Sequence, residues 1–467
     1  MEGLTVVLDV GKTLSKLTLW DGEGGLLQRR TRQNRTIQAE GYAALDTAGI
    51  EVWLAETLSD FARSGRVAAI IPAAHGAAAA LIRDGALALP PFDYEQAIEQ
   101  SERREYDAQR DEFASTGSPS MRDGLNLGMQ LYYLSRLHPE LFDGRSIILP
   151  WPQYWAWVLS GVAASEVTSL GCHTDLWRPV ANEPSGLARA RGWARMLAPL
   201  RSAGDVLGTL TQDWVARTGL PSDAKIYCGL HDSNAALFAA RGFPEIADCE
   251  ATVLSTGTWF VAMRMPAPGI AVDISTLAAD RDCLVNVDVH ATPIMSSRFM
   301  GGREFERLVD VDASNANSDP EALRAAVANV LSVGSMVLPT MAPGVGPFPS
   351  GMGHWIAKPD DPVAQRTAAR LYLALVADAS LDLIGACERV LVEGRFAEAD
   401  LFVRALATLR PETAVYAGNA QDDVSYGARR LINPTLPPSS TLTRILPLEC
   451  NLVRYRARWR DKIRRLA

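Results

Sequence analysis

The sequence predicts an α/β protein made of two related halves. Short apolar segments alternate along the chain with segments of helical periodicity, a pattern typical of α/β folds. Each half opens in the same way, with an apolar strand, a small polar turn and a second apolar strand. These openings are "VVLDVGKTLSKLTLW" from Val6 and "EATVLSTGTWFVAMRM" from Glu250. Their likeness, about half the chain apart, indicates an internal duplication.

Bulk composition excludes several classes of protein. The chain has 467 residues, enough for two or three domains, with 48% hydrophobic and 21% charged residues. Its net charge of −8 argues against a nucleic-acid partner, and no apolar run is long enough to cross a membrane. Six cysteines without a C-x-x-C pair predict no zinc site and are typical of the reducing cytoplasm. The start, "MEGLTVVLDV", lacks the pattern of a signal peptide.

The order of elements follows from periodicity and turn residues. The first half is expected to begin with three strands, Leu4–Leu8, Lys16–Trp20 and Leu26–Arg32. Helix-like segments follow around 41–64, and "RVAAIIPAAHGAAAALIRDGAL" predicts a strand, a turn, a further strand and a hairpin. The C-terminal "RYRARWRDKIRRLA" predicts a helix docked by apolar residues, with its arginines in water. The docking residues are expected to be Leu452, Trp459 and Ile463.

The first polar turn contains Gly11-Lys12-Thr13, which resembles the end of a phosphate-binding P-loop. A P-loop needs a glycine five positions earlier, and Val6 stands there, so that interpretation fails. A tight turn between two strands can still offer backbone N–H groups, hydroxyls and Lys16 to an anion. Asp9, at the strand end, can hold a hydrated Mg²⁺. An ordinary hairpin with a solvated lysine remains the alternative.

The segment "IYCGLHDSNAALFAA" carries the strongest chemical signal. An apolar strand ends at Gly229, and His231 and Asp232 precede an alanine-rich helix. Asp232 is therefore expected near a helix N-terminus at the carboxyl edge of a sheet, where α/β proteins bind ligands. A carboxylate there can accept the proton of an attacking hydroxyl, although a simple N-cap explains it equally well. Two turns able to bind phosphate favour the role of base.

The motifs "LDVGKTLSK", "AAHG", "CGLHDSNAA", "LSTGTW" and "YGARRL", in this order, resemble the FGGY carbohydrate kinases. These belong to the superfamily of actin, sugar kinases and heat-shock ATPases. The resemblance covers residues 5 to 432 and implies two actin-like (ribonuclease H-like) domains, each a mixed central sheet flanked by helices, around an interdomain cleft. The expected domains are 1–245, which binds sugar and carries the base, and 246–440, which binds nucleotide, followed by a basic tail or helix over 441–467.

The resemblance also implies the site. Asp232 would be the catalytic base, and Asp9 would hold Mg²⁺. The residues expected to contact ATP are Gly11, Lys12, Thr13 and Lys16 in the first turn, Thr256, Gly257 and Thr258 in the second, and Gly394 and Gly427 near the adenosine. The residues expected to contact the sugar are His75, Gly76, Asp93, Glu95, His173 and His231.

Three departures from the family pattern stand out. The family carries Thr or Ser where this chain has Lys12, whose cation is expected either to bind phosphate or to point to solvent. The adenosine loop, usually a run of glycines, is here "VEGRFAEADL", in which Arg395 and Phe396 would crowd a nucleotide base or stack on it. The segment "PFDYE" replaces the common Trp-x-Asp-x-Arg pattern, so the sugar is not named.

The expected function is an ATP- and Mg²⁺-dependent kinase in the cytoplasm that phosphorylates a hydroxyl of a ketose or polyol. Its partner is a small-molecule sugar, with no nucleic acid and no membrane, and a homodimer is compatible with the sequence. The alternative is a catalytically impaired sugar-binding sensor with an actin-like fold, motivated by the irregular "VEGRFAE" loop. A polymerising scaffold and an ATPase that acts on a protein are further alternatives.

Overall fold

A computed structural model describes residues 3–309, 319–418, 424–438 and 440–465. Contacts divide the chain into two compact units, each made of separate stretches of sequence. The first unit comprises Met1–Gly242, Val285–Pro293 and Asp422–Ser439, and the second comprises Phe243–Leu284, Ile294–Gln421 and Ser440–Ala467. The predicted boundary near 245 is close to the observed one. The predicted tail, 441–467, is not separate, because it belongs to the second unit, and 422–439 belongs to the first.

The first unit is built on a mixed sheet. Its strands are β1 (Leu4–Val10), β2 (Leu14–Trp20), β3 (Leu26–Gln33), β4 (Thr36–Ala39), β5 (Tyr42–Leu45), β6 (Val67–Ala74), β7 (Ala79–Arg83), β8 (Ala86–Leu87), β9 (Ile147–Pro150), β10 (Trp177–Arg178), β11 (Glu183–Pro184), β12 (Val206–Thr209), β13 (Lys225–Tyr227) and β14 (Leu230–His231). Seven of them form the central sheet in the order β12-β13-β6-β1-β2-β3, with β14 also paired to β6. Strands β1, β13 and β14 all run parallel to β6, so their carboxyl ends lie at one edge of the sheet.

Helices cover both faces of this sheet. They are α1 (Thr47–Ala62), α2 (Gln100–Asp107), α3 (Phe113–Thr116), α4 (Leu127–Leu137), α5 (Trp151–Ser160), α6 (Val167–Leu170), α7 (Gly186–Ala190), α8 (Gln212–Thr218) and α9 (Asp232–Ala240). Val6 and Leu8 of β1 pack in one cluster with apolar residues of α1, and Val7 packs in another with Ala235 of α9. Because both faces are buried, β1 is a continuous apolar run rather than an alternating one.

The region around 41–64, predicted to hold helix-like segments, contains a strand as well as a helix. Strands β4 and β5 form a hairpin first, and α1 begins only at Thr47. Asp46 is the N-cap of α1, and its carboxylate accepts a hydrogen bond from the N–H of Gly49. The cap residue therefore determines where the helix begins, and the apolar residues before it pair as a strand.

The second unit repeats the arrangement of the first. The remaining strands are β15 (Ala251–Thr256), β16 (Phe260–Met265), β17 (Cys283–Val287), β18 (Pro293–Phe299), β19 (Met336–Leu338), β20 (His354–Ile356), β21 (Arg389–Gly394), β22 (Ala414–Ala417) and β23 (Thr443–Arg444). Seven form a sheet in the order β17-β18-β16-β15-β21-β22-β23. Here the hairpin β15–β16 lies beside the parallel strand β21, as the hairpin β1–β2 lies beside the parallel strand β6.

Six further helices lie in the described part of the chain after β15. They are α10 (Gly301–Leu308), α11 (Pro320–Val333), α12 (Pro362–Leu383), α13 (Asp400–Leu409), α14 (Val424–Ile432), which returns to the first unit, and α15 (Val453–Arg464). Shorter 3₁₀ turns span Pro139–Phe142, Trp193–Arg195, Ile274–Thr276 and Ala279–Arg281. In the described ranges, no helix has the length and apolar character that a bilayer span requires.

The C-terminal helix α15 docks into the second unit through polar as well as apolar contacts. Leu452 and Trp459 are buried as predicted, and the indole N–H of Trp459 donates to the carbonyl of Val337 at 2.7 Å. The prediction that the arginines lie in water is wrong for two of them. Arg456 and Arg460 each approach the buried carboxylate of Asp378 to 3.1 Å, so ion pairs also fix this helix.

Candidate active site

Asp232 is the first residue of α9 and follows β14 directly. At Gly229 the chain passes so close to β6 that a Cβ would lie 2.1 Å from the carbonyl oxygen of Pro72. The N-cap of α9 is His231, so the N-cap interpretation of Asp232 is not supported. The Oδ1 atom of Asp232 accepts the backbone N–H of Ser233 at 2.6 Å. Its Oδ2 atom accepts no hydrogen bond from any residue the structure describes, so this oxygen is open to accept a proton.

The backbone before Asp232 is held by a buried polar network. The N–H of His231 donates to the hydroxyl of Thr168 at 3.0 Å, and that hydroxyl donates to Glu166 at 2.6 Å. Glu166 is fully buried and is the N-cap of α6, where it also accepts the backbone N–H groups of Thr168 and Ser169. Burial raises the pKa of Glu166 to about 7 although these hydrogen bonds favour its charged form. The sequence signal for this network, Glu-x-Thr-Ser, is a helix start that our sequence reading missed.

His75 lies at the same edge of the sheet, directly after β6. Its ring packs edge-on against Tyr94, with centroids 5.6 Å apart, and against Trp151. Both ring nitrogens are buried and have no hydrogen-bond partner among the described residues. Burial lowers the pKa of His75 to about 4, so near pH 7 the ring is neutral and offers one donor and one acceptor. Such a ring is suited to a sugar hydroxyl, which also donates and accepts.

Gly76 allows His231 and Cys172 to pack beside His75. A Cβ on Gly76 would lie 2.7 Å from the sulfur of Cys172 and 3.0 Å from Nε2 of His231. The His231 ring in turn has Nε2 3.3 Å from Asp232. The structure therefore brings together four predicted residues, His75, Gly76, His231 and Asp232.

His173 follows Cys172 but its ring makes a backbone contact. Its Nδ1 atom lies 2.8 Å from the carbonyl oxygen of Leu125, and the residue is half-buried. A contact between His173 and sugar remains a prediction.

The first turn is held from one side by Asn34. The Asn34 side chain donates to the carbonyl of Gly11 at 2.8 Å, and its backbone N–H donates to the carbonyl of Thr13 at 2.8 Å. The N–H of Gly11 donates to the carbonyl of Leu14, which closes the turn. Across 3–309 and the other described ranges, the backbone N–H groups of Lys12 and Thr13 have no partner. The turn thus presents donors, as an anion site requires.

Lys16 and Asp9 face each other across the β1–β2 hairpin beside this turn. They are paired in the strand register, and their charged atoms are 3.2 Å apart. Both side chains are mostly buried, with 11% and 15% exposure. The pair puts one cation and one carboxylate next to the free donors of the turn.

Lys12 makes a contact that the sequence did not predict. Its ammonium lies 2.5 Å from Asp93 and 3.4 Å from Glu95, so it does not point to solvent, and a contact between its side chain and phosphate stays a prediction. Asp93 is buried and also accepts the Thr36 hydroxyl at 2.6 Å. Burial raises the pKa of Asp93, but the hydrogen bonds from Lys12 and Thr36 outweigh it and keep the pKa below its usual value. Lys12 and the predicted sugar residues Asp93 and Glu95 thus form one cluster.

In the second unit, Thr256 ends β15 and holds the loop after β21. Its hydroxyl donates to the carbonyl of Glu393 and accepts the N–H of Phe396 at 2.9 Å. Gly394 has φ +80°, and a Cβ there would lie 2.4 Å from the carbonyl oxygen of Thr256. Thr256 and Gly394 are therefore in contact with each other, while Thr258 is exposed at the tip of the turn.

The expectation that Phe396 crowds or stacks on a nucleotide base is wrong. Phe396 is 4% exposed and packs against Phe260, Phe305 and Phe402. The guanidinium of Arg395 lies 3.1 Å from Glu306. The apolar ring belongs to the core because its neighbours in the second unit are three further phenylalanines.

A glycine pair opens α10 against the second turn. A Cβ on Gly302 would lie 2.1 Å from the carbonyl oxygen of Gly257, and one on Gly301 would meet the ring of Phe260. The positive end of a helix therefore approaches Gly257 and Thr258, which favours an anion there. In the sequence, the paired glycines of "MGGRE" immediately before a helix are a signal of such a close approach.

Comparison with known proteins identifies the family of this chain. A family model described as carbohydrate kinase FGGY, C-terminal domain, matches residues 248–439. The structure of a carbohydrate kinase from Novosphingobium aromaticivorans is 53% identical in sequence, covers 98% of this chain and 100% of its own, and superposes with a TM-score of 0.94. The chain belongs to the FGGY family of carbohydrate kinases. Its two units have the actin-like fold that the sequence predicted.

More distant relatives of this FGGY kinase share its fold or parts of its sequence. Xylulose kinase from Rhodospirillum rubrum has 18% identity, covers 99% of this chain and 98% of its own, and has a TM-score of 0.80, which shows the fold alone. A rhamnulokinase from Halalkalibacterium halodurans is 29% identical over 136 residues, and the L-fuculokinase of Escherichia coli is 30% identical over 150 residues. These matches span 28% and 32% of this chain and 27% and 30% of those relatives.

Gly427 of this FGGY kinase is explained by packing inside the first unit. It lies in α14, and a Cβ there would lie 1.8 Å from the carbonyl oxygen of Ala235 in α9. A helix pair this close requires glycine whatever binds nearby. A contact between Gly427 and adenosine remains a prediction.

The residues of the FGGY kinase fit a Mg²⁺ that arrives with a nucleotide. In the described part of the chain, no three His, Cys, Asp or Glu side chains gather into a metal site. Mg²⁺ usually keeps several waters and takes one or two carboxylates together with substrate phosphates. Asp9, beside the free N–H groups of the first turn, supplies one such carboxylate.

Proposed function

We propose that this chain transfers the γ-phosphate of ATP to a hydroxyl of a ketose or polyol, with Mg²⁺ and with Asp232 as the general base. The single observation that carries this proposal is the free Oδ2 of Asp232 at the start of α9, next to His231. The neutral His75 and the buried Asp93 supply further polar groups for a neutral, hydroxyl-rich acceptor. The site is proposed to work in the cytoplasm, where the six free cysteines stay reduced.

In the proposed mechanism the residues of this chain mainly position the acceptor and the nucleotide and neutralise negative charge on the phosphates. The acceptor hydroxyl loses its proton to Oδ2 of Asp232 as its oxygen forms a bond to the γ-phosphorus and the bond to ADP breaks. The N–H groups of Lys12 and Thr13, with Lys16, stabilise negative charge on the phosphates. Asp9 would hold Mg²⁺, which neutralises phosphate charge when bound. Such effects supply most of the rate enhancement in phosphoryl transfer.

The base is tested by Asp232→Asn. Turnover is expected to fall about 100- to 10,000-fold, because the amide cannot accept the proton. ADP affinity, measured by calorimetry, should stay within about 2-fold, since the amide keeps the shape of the side chain. Asp213→Asn is a matched control, since Asp213 also lies in the first turn of a helix but is largely exposed. Full activity of Asp232→Asn would remove Asp232 from the role of base.

The acceptor class is tested by a panel of ketoses, aldoses and polyols in a coupled assay of ADP release. At least one ketose or polyol is expected to stimulate ADP release far above the rate without sugar. A panel in which every member fails, with ATP bound normally, contradicts the kinase proposal.

The second candidate is a sugar-binding sensor with impaired catalysis. It is favoured by the unusual adenosine loop, in which Gly394 is followed by Arg395, which pairs with Glu306, and by the buried Phe396. A nucleotide titration distinguishes the two. ATP binding at millimolar concentration or better supports the kinase, and its absence supports the sensor.

A further inference from the structure

Lys12 connects two parts of the first unit. Its backbone N–H belongs to the turn after β1, whereas its side chain reaches the loop of Asp93, Tyr94 and Glu95, 81 residues further along the chain. The ammonium lies 2.5 Å from Asp93, 3.4 Å from Glu95 and 5.4 Å from the centre of the Tyr94 ring. These three contacts surround one cation with groups that favour its charge.

The Lys12–Asp93 pair is largely removed from water. The two side chains are 12% and 1% exposed. The other oxygen of Asp93 accepts the backbone N–H of Glu95 at 2.9 Å, and the Thr36 hydroxyl also donates to this carboxylate. A pair this well satisfied is held in a fixed geometry, and loss of either partner leaves an uncompensated charge.

The same loop borders the acceptor side of the site. The Tyr94 ring packs edge-on against His75, and the charges of Lys12, Asp93 and Asp232 all influence the His75 ring. The charge of Lys12 is already neutralised by Asp93, so no free cation faces the acceptor from this loop. An acceptor that carries its own carboxylate would be repelled by Asp232, and this loop offers no further cation to offset the repulsion.

We infer that Lys12 is a positioning residue of the acceptor site, which fixes the Asp93–Glu95 loop and selects a neutral polyhydroxy acceptor over a sugar acid. This inference rests on the proposed function for the location of the acceptor. Lys12 then has two separate tasks: its backbone N–H binds the phosphates, and its side chain fixes the loop that borders the sugar.

The test measures two affinities by calorimetry in three proteins: wild type, Lys12→Met and the matched variant Lys16→Met. The probes are ADP and the neutral ketose or polyol of the panel that binds wild type most tightly. Lys12→Met is expected to weaken binding of the neutral sugar at least about 10-fold and to leave the affinity for ADP within about 3-fold of wild type. Lys16→Met is expected to weaken binding of ADP and to leave the affinity for the sugar nearly unchanged. A Lys12→Met protein that weakens ADP and leaves the sugar unchanged overturns the inference.

Two further measurements keep the inference falsifiable if Lys12→Met folds poorly. Lys12→Arg retains a cation and is expected to keep sugar affinity within about 3-fold of wild type. In the wild-type protein, D-gluconate should bind at least about 100-fold more weakly than the chosen neutral sugar. Preference for the acid, or no binding by any neutral member of the panel, overturns the inference. Because these are binding measurements, a protein without turnover but with Lys12-dependent sugar binding contradicts only the kinase proposal.

Discussion

The hydroxyl of Thr168 accepts the backbone N–H of His231 at 3.0 Å and donates to the buried Glu166 at 2.6 Å. His231 immediately precedes Asp232, so this hydroxyl joins the start of α6 to the start of α9. Thr168 and His231 are 63 residues apart in sequence. The orientation of the proposed base therefore depends on a contact with a distant segment.

Thr168→Val should lower kcat about 10-fold, since a lost buried hydrogen bond costs about 1–2 kcal/mol and lets Asp232 move. KM for the acceptor should change less than kcat. The matched control is Thr367→Val in the second unit, whose fully buried hydroxyl donates to the carbonyl of Leu323 at 3.1 Å. Equal loss of stability in both variants with kcat unchanged in both would mean that Thr168 is purely structural.

Glu166 should make the stability of the protein depend on pH. Its pKa, raised by burial from 4.5 to about 7, means that folding adds a proton between these values. Its contribution to the free energy of unfolding is therefore fully present below pH 4.5 and lost as pH rises through 7. The free energy of unfolding of wild type minus that of Glu166→Gln, both measured by urea unfolding, should fall by about 3 kcal/mol between pH 4.5 and 8. Glu56→Gln, on an exposed position of α1, should show no such slope. If the difference in free energy of unfolding between wild type and Glu166→Gln did not change with pH, the raised pKa of the buried Glu166 would be refuted.

Asn34→Ala should weaken nucleotide binding selectively. The side chain holds the carbonyl of Gly11 at 2.8 Å and accepts the Ser15 hydroxyl at 2.9 Å, so its loss frees the first turn. KM for ATP is expected to rise about 10-fold, with KM for the acceptor within about 2-fold. Asn329→Ala, on the exposed face of α11, serves as the neutral control. An unchanged KM for ATP would separate this turn from phosphate binding.

Gly427→Ala should destabilise the first unit by about 3 kcal/mol, because the new Cβ would lie 1.8 Å from a backbone carbonyl of α9. The control is Gly208→Ala, where a Cβ would have no neighbour nearer than 3.7 Å. Guanidinium unfolding measures both. A Gly427→Ala protein as stable as wild type would show that α9 and α14 are free to separate.

Asp378→Asn should loosen the C-terminal helix. Asp378 lies within 3.1 Å of Arg410, Arg456 and Arg460, and a broken buried ion pair costs about 3–5 kcal/mol. Faster proteolytic removal of α15 at native pH is the expected readout. Asp461→Asn, which breaks only the exposed pair with Arg465, should leave the rate unchanged. Equal rates for the two variants would contradict the role of Asp378.

Local features of the site follow closely from the sequence. The paired strands around Gly11, the hairpin around Gly257 and the helix start at Asp232 each depend on residues within one short window. Periodicity, turn residues and the end of an apolar run are properties of such windows. The main local error was the helical prediction for the residues before Asp46, which form the strand Tyr42–Leu45, because such apolar residues fit a strand as well as a helix.

Partners distant in sequence were predicted poorly. Lys12 was assigned to phosphate or solvent, and Phe396 to a nucleotide base, but Asp93 and three phenylalanines hold them. The close packing of Gly427 against Ala235 was not predicted either, and the contact between Gly427 and adenosine that the resemblance implies stays a prediction. In each case the residue type was chemically suited to either role, so its surroundings had to decide.

The sequence by itself determined the α/β class, the duplicated hairpins, the family and the residue proposed as the base. Only the tertiary structure decided which side chains meet: Lys12 with Asp93, Thr168 with His231, and Thr256 with the loop of Phe396. The physical reason is that these contacts join residues 63 to 140 positions apart. They arise when parallel strands bring distant carboxyl ends to one edge of a sheet, and the order of strands in a sheet is not written in any local pattern.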